Sequence, residues 1–256
     1  MKILPVSAFY DNYIWMGINE NTQEAFCVDP GEAKPVITFL EKENLKLKAI
    51  LLTHHHHDHI DGTSELIEKN PAIAVYGPND PRMPQVTNVI KEKDSFSLLD
   101  IYQFQVLDTP GHTSTHISFY ESHYGWLFCG DTLFSAGCGR VFDGTIKALH
   151  DSLQKLKSLP DKTQIYCAHE YTQQNLRFAA MVDPDNLTIR HHALRLLAKE
   201  NLCSLPSNLA LEKQINPFLR TDTEKLQAYT TFKGCKKHDS LSVFKQLRAD
   251  KDVFYS

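Results

Sequence analysis

Five of the thirteen histidines in this 256-residue chain fall between positions 54 and 59, in the run Thr53-His54-His55-His56-His57-Asp58-His59. Imidazole nitrogens and a carboxylate are donors for zinc, iron or manganese. Burying so many of them in six residues without a cation would strand polar groups that need partners. The run follows KAILL at 48–52, which reads as a strand. Side chains of extended backbone alternate, so His54 and His56 share one face while His55 and His57 point elsewhere. Asp58 and His59, in the turn beyond, can reach a second point nearby. Three further strand ends offer a ligand each: VLDTPGH at 106–112 brings His112, LFCGDT at 127–132 brings Asp131, and IYCAHE at 165–170 brings His169. Recurrence at separate strand ends fits a metal site held by a rigid framework better than a solvated loop. No cysteine belongs to the set, so no soft donor singles out one metal.

The framework reads as alternating strands and helices over the first two thirds of the chain. Segments 14–18, 25–28, 48–52, 73–76, 104–107, 116–120, 126–129 and 164–167 are short, rich in β-branched or aromatic residues and bounded by Gly, Pro, Asp or Asn. Helices are expected at 32–43, 63–69 and 145–159, the last with Ile146, Leu149, Leu153 and Leu156 on one stripe. Beyond about residue 172 the strand-like runs stop and helical spacing takes over, as at 187–201 and 239–249. Asp239 and Ser240 are N-cap types for the final helix, with Leu241, Phe244 and Leu247 facing inward. The division expected is a mixed strand-and-helix part, 1–172, and a mainly helical part, 173–256.

Bulk properties narrow the class. Hydrophobic residues at 42% and charged residues at 23% exclude long disorder and collagen-like sequence. A net charge of -4 without a Lys/Arg run gives no attraction to phosphate backbones, so no nucleic-acid partner is expected. No apolar run approaches the roughly 18 residues of a membrane span, and Asp11 and Asn12 interrupt the start before a signal-peptide core develops. Six cysteines without a CxxC pair read as reduced thiols of a cytoplasmic protein. A monomer is expected.

The motifs THHHHDH, TPGHT, GDT and AHEYT resemble those of the metallo-β-lactamase superfamily. DNYIW at 11–15, VDPG at 28–31, GDTLFSAGCGR at 130–140, AHEYT at 168–172 and NPFLR at 216–220 are similar to the glyoxalase II (hydroxyacylglutathione hydrolase) family within it. The likeness covers essentially the whole chain. It implies a mixed α/β (α+β) fold, a four-layer αββα sandwich followed by a smaller helical domain. It implies two divalent ions per chain, zinc foremost with iron or manganese also suited. His54, His56 and His112 would hold one ion, Asp58, His59 and His169 the other, and Asp131 would bridge, making Asp58 and Asp131 the catalytic carboxylates. The implied reaction is hydrolysis of S-D-lactoylglutathione and other S-2-hydroxyacylglutathiones to D-lactate or its analogues plus glutathione, in methylglyoxal detoxification. Hydroxide generated from water shared by the cations would be the nucleophile, so no Ser or Cys nucleophile is required. Cys138 then reads as a small packed residue.

Asp29 of VDPG is the candidate to accept a hydrogen bond from a ligand histidine. Arg248 and Lys251, three residues apart in RADKD, match a basic pair that meets the glycine carboxylate of glutathione. Arg140 and Tyr171 match further glutathione contacts. Arg140 stands where Lys is common in the family, Phe142 where some members have Tyr, and Asp61 where Gly is common. Rival readings are a single-iron persulfide dioxygenase of the same superfamily, against which Arg248 and Lys251 argue, and a nuclease, which the acidic balance disfavours. A non-catalytic metal or thiol-conjugate binding module is the rival from another class.

Overall fold

Strand residues alternate between two faces, and early in the chain each face meets a different apolar partner. The structure, a computed structural model, describes residues 2–198 and 203–254. Its contacts separate two compact units, one of Met1–Thr109, Thr115–Gly130 and Tyr166–His169, the other of Pro110–Ser114, Asp131–Ile165 and Glu170–Ser256. The grouping differs from a single boundary after residue 172. One reason is that the helix Ile146–Lys157 docks on C-terminal segments, with His150 edge-on to Phe244 at 5.5 Å and its Nε2 2.8 Å from Ser240 Oγ.

In the first unit the order is β1 (Lys2–Ala8), β2 (Asn12–Asn19), β3 (Glu24–Val28), α1 (Ala33–Glu43), β4 (Lys46–Leu51), α2 (His57–Ile60), α3 (Thr63–Lys69), β5 (Ala74–Gly77) and β6 (Asn88–Val89). There follow β7 (Ser95–Leu98), β8 (Tyr102–Asp108), β9 (Ile117–Glu121) and β10 (Trp126–Gly130). One sheet runs β1-β2-β3-β4-β5-β6, antiparallel from β1 to β3 and parallel from β3 to β6. A parallel step needs a crossover, which α1 supplies between β3 and β4. Ala25 and Cys27 join Ile14, Met16, Ile50, Val36 and Leu66 in a cluster on the helix side. Phe26, between them, points the other way and lies edge-on to Phe104 at 5.5 Å and Phe128 at 6.0 Å. Those rings belong to the antiparallel strands β7-β8-β9-β10, which the C-terminal half of the strand Gln164–Cys167 extends. Trp15 closes that end, its Nε1 donating to the Cys167 carbonyl at 2.8 Å and its ring edge-on to Tyr166. All eight strands read from the sequence occur here, with ends shifted by up to two residues. β1 is not among them; it lies at the edge of the sheet, where the missing N–H of its Pro5 does no harm.

The second unit holds β11 (Leu133–Phe134) and β12 (Gly137–Cys138), a hairpin, then α4 (Ile146–Lys157) and β13 (Gln164–Cys167), whose first half pairs with β14 (Ser207–Asn208). Its other elements are α5 (Thr172–Val182), α6 (Leu187–Leu197), α7 (Leu209–Ile215), a 3-10 turn at Pro217–Leu219, α8 (Glu224–Phe232) and α9 (Ser240–Asp252). Thr145 caps α4 by accepting from Ala148 N, and Leu149, Leu153 and Leu156 are buried while Ile146 is half-buried. Asp239 caps α9 through Ser242 N. The buried stripe of α9 is Val243, Phe244, Leu247 and Arg248; Leu241 is only half-buried, because the stripe lies one step round the helix from the position read from the leucines. Phe218 centres this core, stacked on Phe178 at 6.0 Å and edge-on to Phe244 at 5.5 Å.

Candidate metal centre

β4 delivers Thr53 and His54 into a buried position, and the single turn α2 then brings Asp58 and His59 round beside them. The close turn depends on Gly31: a Cβ there would lie 2.0 Å from the Asp58 carbonyl oxygen. His54 Nε2 and His56 Nδ1 are 3.1 Å apart, so the two rings must share one proton or one cation. Asp58 Oδ2 stands 3.4 Å from His59 Nε2 and 3.3 Å from His169 Nε2. Donors bound at roughly 2.0–2.1 Å to a tetrahedral zinc are separated by about 3.3–3.4 Å. Asp58, His59 and His169 therefore have the spacing of a metal ligand set. Burial opposes ionisation of Asp58, but the neighbouring His169 and His59 rings, then Asn12, outweigh it and hold the carboxyl well below the usual range. The Asn12 amide donates to Asp58 Oδ2 at 2.9 Å.

The opposite ring nitrogens show how these histidines are oriented. Asp29 accepts from Thr53 N at 2.8 Å and from Thr53 Oγ1 at 2.6 Å. Having donated its proton, the Thr53 hydroxyl is an acceptor for His54 Nδ1, 2.9 Å away. Asp29 Oδ2 also receives His59 Nδ1 at 3.0 Å, and Asp11 Oδ1 receives His169 Nδ1 at 2.9 Å. With Nδ1 protonated in each ring, Nε2 carries the lone pair that a metal needs. Asp29 holds a left-handed backbone, φ 52°, which Asp tolerates better than most residues. His116 stacks on His54 at 4.7 Å, His55 Nδ1 is 3.6 Å from Asp80 Oδ2, and His57 is exposed beside Asp61. These three are supporting or surface groups.

Within the second unit His112 and Asp131 come together, with Nε2 3.5 Å from Oδ2. His112 Nδ1 donates to the Arg140 carbonyl at 2.7 Å, which leaves Nε2 as its lone-pair nitrogen in the same manner. The Phe142 ring is exposed and edge-on to His112 at 5.2 Å. Tyr171 precedes α5 with its ring edge-on to Phe134. Arg248 lies off the solvated face that helical spacing alone would give it: buried, it donates Nη1 to the Cys138 and Gly139 carbonyls at 3.0 and 3.3 Å and Nε to Asp252 at 3.1 Å. Arg140, largely exposed, contacts the same Asp252 carboxylate at 3.3 Å. Lys251 Nζ lies 5.4 Å from the ring centres of both Phe178 and Phe254 and has no hydrogen-bond acceptor among the described residues. Burial, with Arg248 nearby, pushes its amine down to about 8. Cys138 is buried and its thiol is pushed up to about 11, mainly by burial, which suits a packed residue and not a nucleophile.

Asp11, Asn12 and Thr53 take part without having been singled out in the sequence. The available signal was a polar pair, Asp11-Asn12, at the start of an otherwise largely apolar strand.

The chain is similar to known proteins along its whole length. Residues 12–169 match the metallo-beta-lactamase superfamily, and residues 170–254 match the hydroxyacylglutathione hydrolase C-terminus. The chain is 54% identical to a hydroxyacylglutathione hydrolase of Legionella pneumophila (strain Corby), over 99% of this chain and 100% of that one. It is 46% identical to one of Nitrosomonas eutropha, over 99% of each. Among solved structures, ETHE1 from Myxococcus xanthus superposes with a TM-score of 0.67 at 23% identity, covering 98% of each chain. TTHA1623 in a di-iron-bound form gives 0.62 at 26%, covering 84% of this chain and all of that one. With a metallo-β-lactamase fold, a helical C-terminal region and relatives of such identity along its length, the chain belongs to the hydroxyacylglutathione hydrolase family of the metallo-β-lactamase superfamily.

Proposed function

We propose that this protein is a thioester hydrolase that cleaves S-D-lactoylglutathione and related S-2-hydroxyacylglutathiones to glutathione and a 2-hydroxy acid such as D-lactate, as in methylglyoxal detoxification. The observation that supports it most is the common orientation of His54, His59, His112 and His169, each with Nδ1 given to an acceptor and Nε2 left for a cation. In this reading His54, His56 and His112 would hold one divalent ion, Asp58, His59 and His169 would hold a second, and Asp131 would serve both. Two such ions, zinc foremost with iron or manganese also matching the donors, would supply an ionised water at neutral pH and polarise the thioester carbonyl. That the relative TTHA1623 is known in a di-iron-bound form is in keeping with two ions.

The chain's own residues do the rest. Asp29 and Asp11 keep His59 and His169 in the ligand tautomer, and Asn12 fixes the direction of Asp58. Glutathione carries two carboxylates, so its site needs cations in a protein of net charge -4. Lys251, a half-buried amine lacking an acceptor, is suited to receive one; Arg140 is exposed enough to approach the other, with Arg248 supporting the turn beneath it. Tyr171 and Phe142 would flank the peptide. Catalysis is assigned to 1–172 and substrate binding to 173–256. A cytoplasmic monomer is the form proposed. Six free cysteines suit a reducing compartment, and no described helix is long and apolar enough to cross a membrane.

The test is metal analysis and anaerobic thioester hydrolysis on one preparation. Two ions per chain with oxygen-independent release of glutathione are expected. A single iron, strict oxygen dependence and sulfite release would replace this reading with the persulfide dioxygenase.

A further inference from the structure

Glu212 is a carboxylate with no solvent exposure, in α7, far in sequence from every proposed ligand. Its partners are the tip of the β11–β12 hairpin and two neighbours. Oε2 accepts from Ala136 N at 2.7 Å and from Asn216 Nδ2 at 3.1 Å; Oε1 accepts from the Ser135 hydroxyl at 2.8 Å and from the Ser207 hydroxyl. Three carbonyls of the hairpin are held as well, with Asn216 Nδ2 reaching those of Phe134 and Gly137 and Asn175 Nδ2 donating to that of Ser135. Ala136 needs such an anchor. Its φ of 55° is left-handed, a conformation that strains a non-glycine residue.

The other end of this hairpin carries the chemistry. β11 pairs Leu133 with Cys138 and Phe134 with Gly137, and Gly139 N continues the pairing to the Thr132 carbonyl. One strand thus runs directly out of Asp131. The other runs into Gly139, where a Cβ would lie 2.0 Å from the Asp131 carbonyl oxygen, and then into Arg140, whose carbonyl orients His112. A two-residue ladder is too short to hold its own register. Displacement of the tip would be passed to Asp131 and to the acceptor of His112 together.

We propose that Glu212 is a positioning residue for the metal centre: by pinning the strained tip at Ser135 and Ala136 it fixes the stem from which Asp131 projects and on which His112 is oriented. The inference rests on the binuclear reading above. It explains why a carboxylate is buried here although burial raises its pKa: the tip offers donors and needs an acceptor.

The test uses the full-length protein stripped of metal and titrated with Mn(II), reading stoichiometry, the two dissociation constants and the exchange-coupled EPR spectrum of the loaded form. It is run at a temperature where circular dichroism shows each variant folded. Glu212→Ala should weaken binding of one equivalent at least tenfold and lose the coupled spectrum. Glu212→Gln should restore both, since its oxygen can serve Ala136 N while the two serine hydroxyls rotate to accept from its amide. If the alanine variant does not fold, Glu212→Asp takes its place: one methylene shorter, it cannot span from Ala136 to Ser207, and the same losses are expected. A folded Ala or Asp variant with wild-type affinities and coupling overturns the inference alone. Wild type that binds only one ion overturns the binuclear reading and the inference with it.

Discussion

Replacing Asp29 by Asn should damage metal binding while sparing the fold. Asn matches Asp in size and accepts the left-handed backbone at this position equally well, so φ 52° adds no strain. Its oxygen can keep the bond from Thr53 N. Its amide must then occupy the place of Oδ2, 3.0 Å from His59 Nδ1 and 2.6 Å from Thr53 Oγ1, where donor would face donor. The clash is relieved when His59 moves its proton to Nε2 and when the Thr53 hydroxyl reverses, donating to His54 Nδ1 2.9 Å away, which shifts that ring likewise. Both rings then present N–H where the lone pair should be. Restoring the ligand form forfeits a charge-assisted hydrogen bond worth about 1.5–3 kcal/mol, or about 10–150-fold in affinity. Loss of a partner behind a ligand histidine costs on the order of 10–100-fold, the same range. Competition against a chromophoric chelator measures it, with circular dichroism confirming that the metal-free variant is folded. Both dissociation constants within twofold of wild type in folded Asp29→Asn would refute the tautomer argument.

Asp131→Ala should lower the content of both ions and abolish thioester hydrolysis, and two ions retained per chain would contradict its bridging role. Lys251 is charged below about pH 8 and neutral above it, so kcat/KM for the anionic thioester should fall as pH rises through about 8. In Lys251→Met that fall should vanish, with KM raised and kcat unchanged, and a persistent fall would assign the titration elsewhere. Trp15→Phe removes the donor to the buried Cys167 carbonyl and should cost about 1–3 kcal/mol in urea denaturation; a change below about 0.5 kcal/mol would mean that the contact is dispensable.

The strands were legible because short β-branched and aromatic runs between turn residues are local signals, and the candidate ligands because they stand where those runs end. What binds the rings from behind was less so. Asp29 could be suspected from its place after β3, but Asp11 lies 158 positions from the histidine it orients, and they are brought together by tertiary pairing such as that of Tyr13 N with the Ala168 carbonyl. Arg248 shows the opposite limit: helical spacing with Lys251 predicts a shared surface, whereas tertiary packing draws its guanidinium under the Cys138–Gly139 turn. Glu212 gave no signal at all, since a glutamate among ALEKQ reads as an exposed helix former until its four donors are seen.

The fixed imidazole protons have one more effect. At Asp58, His59 and His169 an arriving cation finds both imidazole lone pairs already aimed at it, and neither ring must turn over or exchange hydrogen first, so uptake there should be governed by how fast the ion sheds its hydration water. Nitrogen and oxygen donors of middling softness do little to discriminate among first-row metals. The occupant in a living cell would then follow the supply of free ions during maturation more than any choice imposed by the polypeptide.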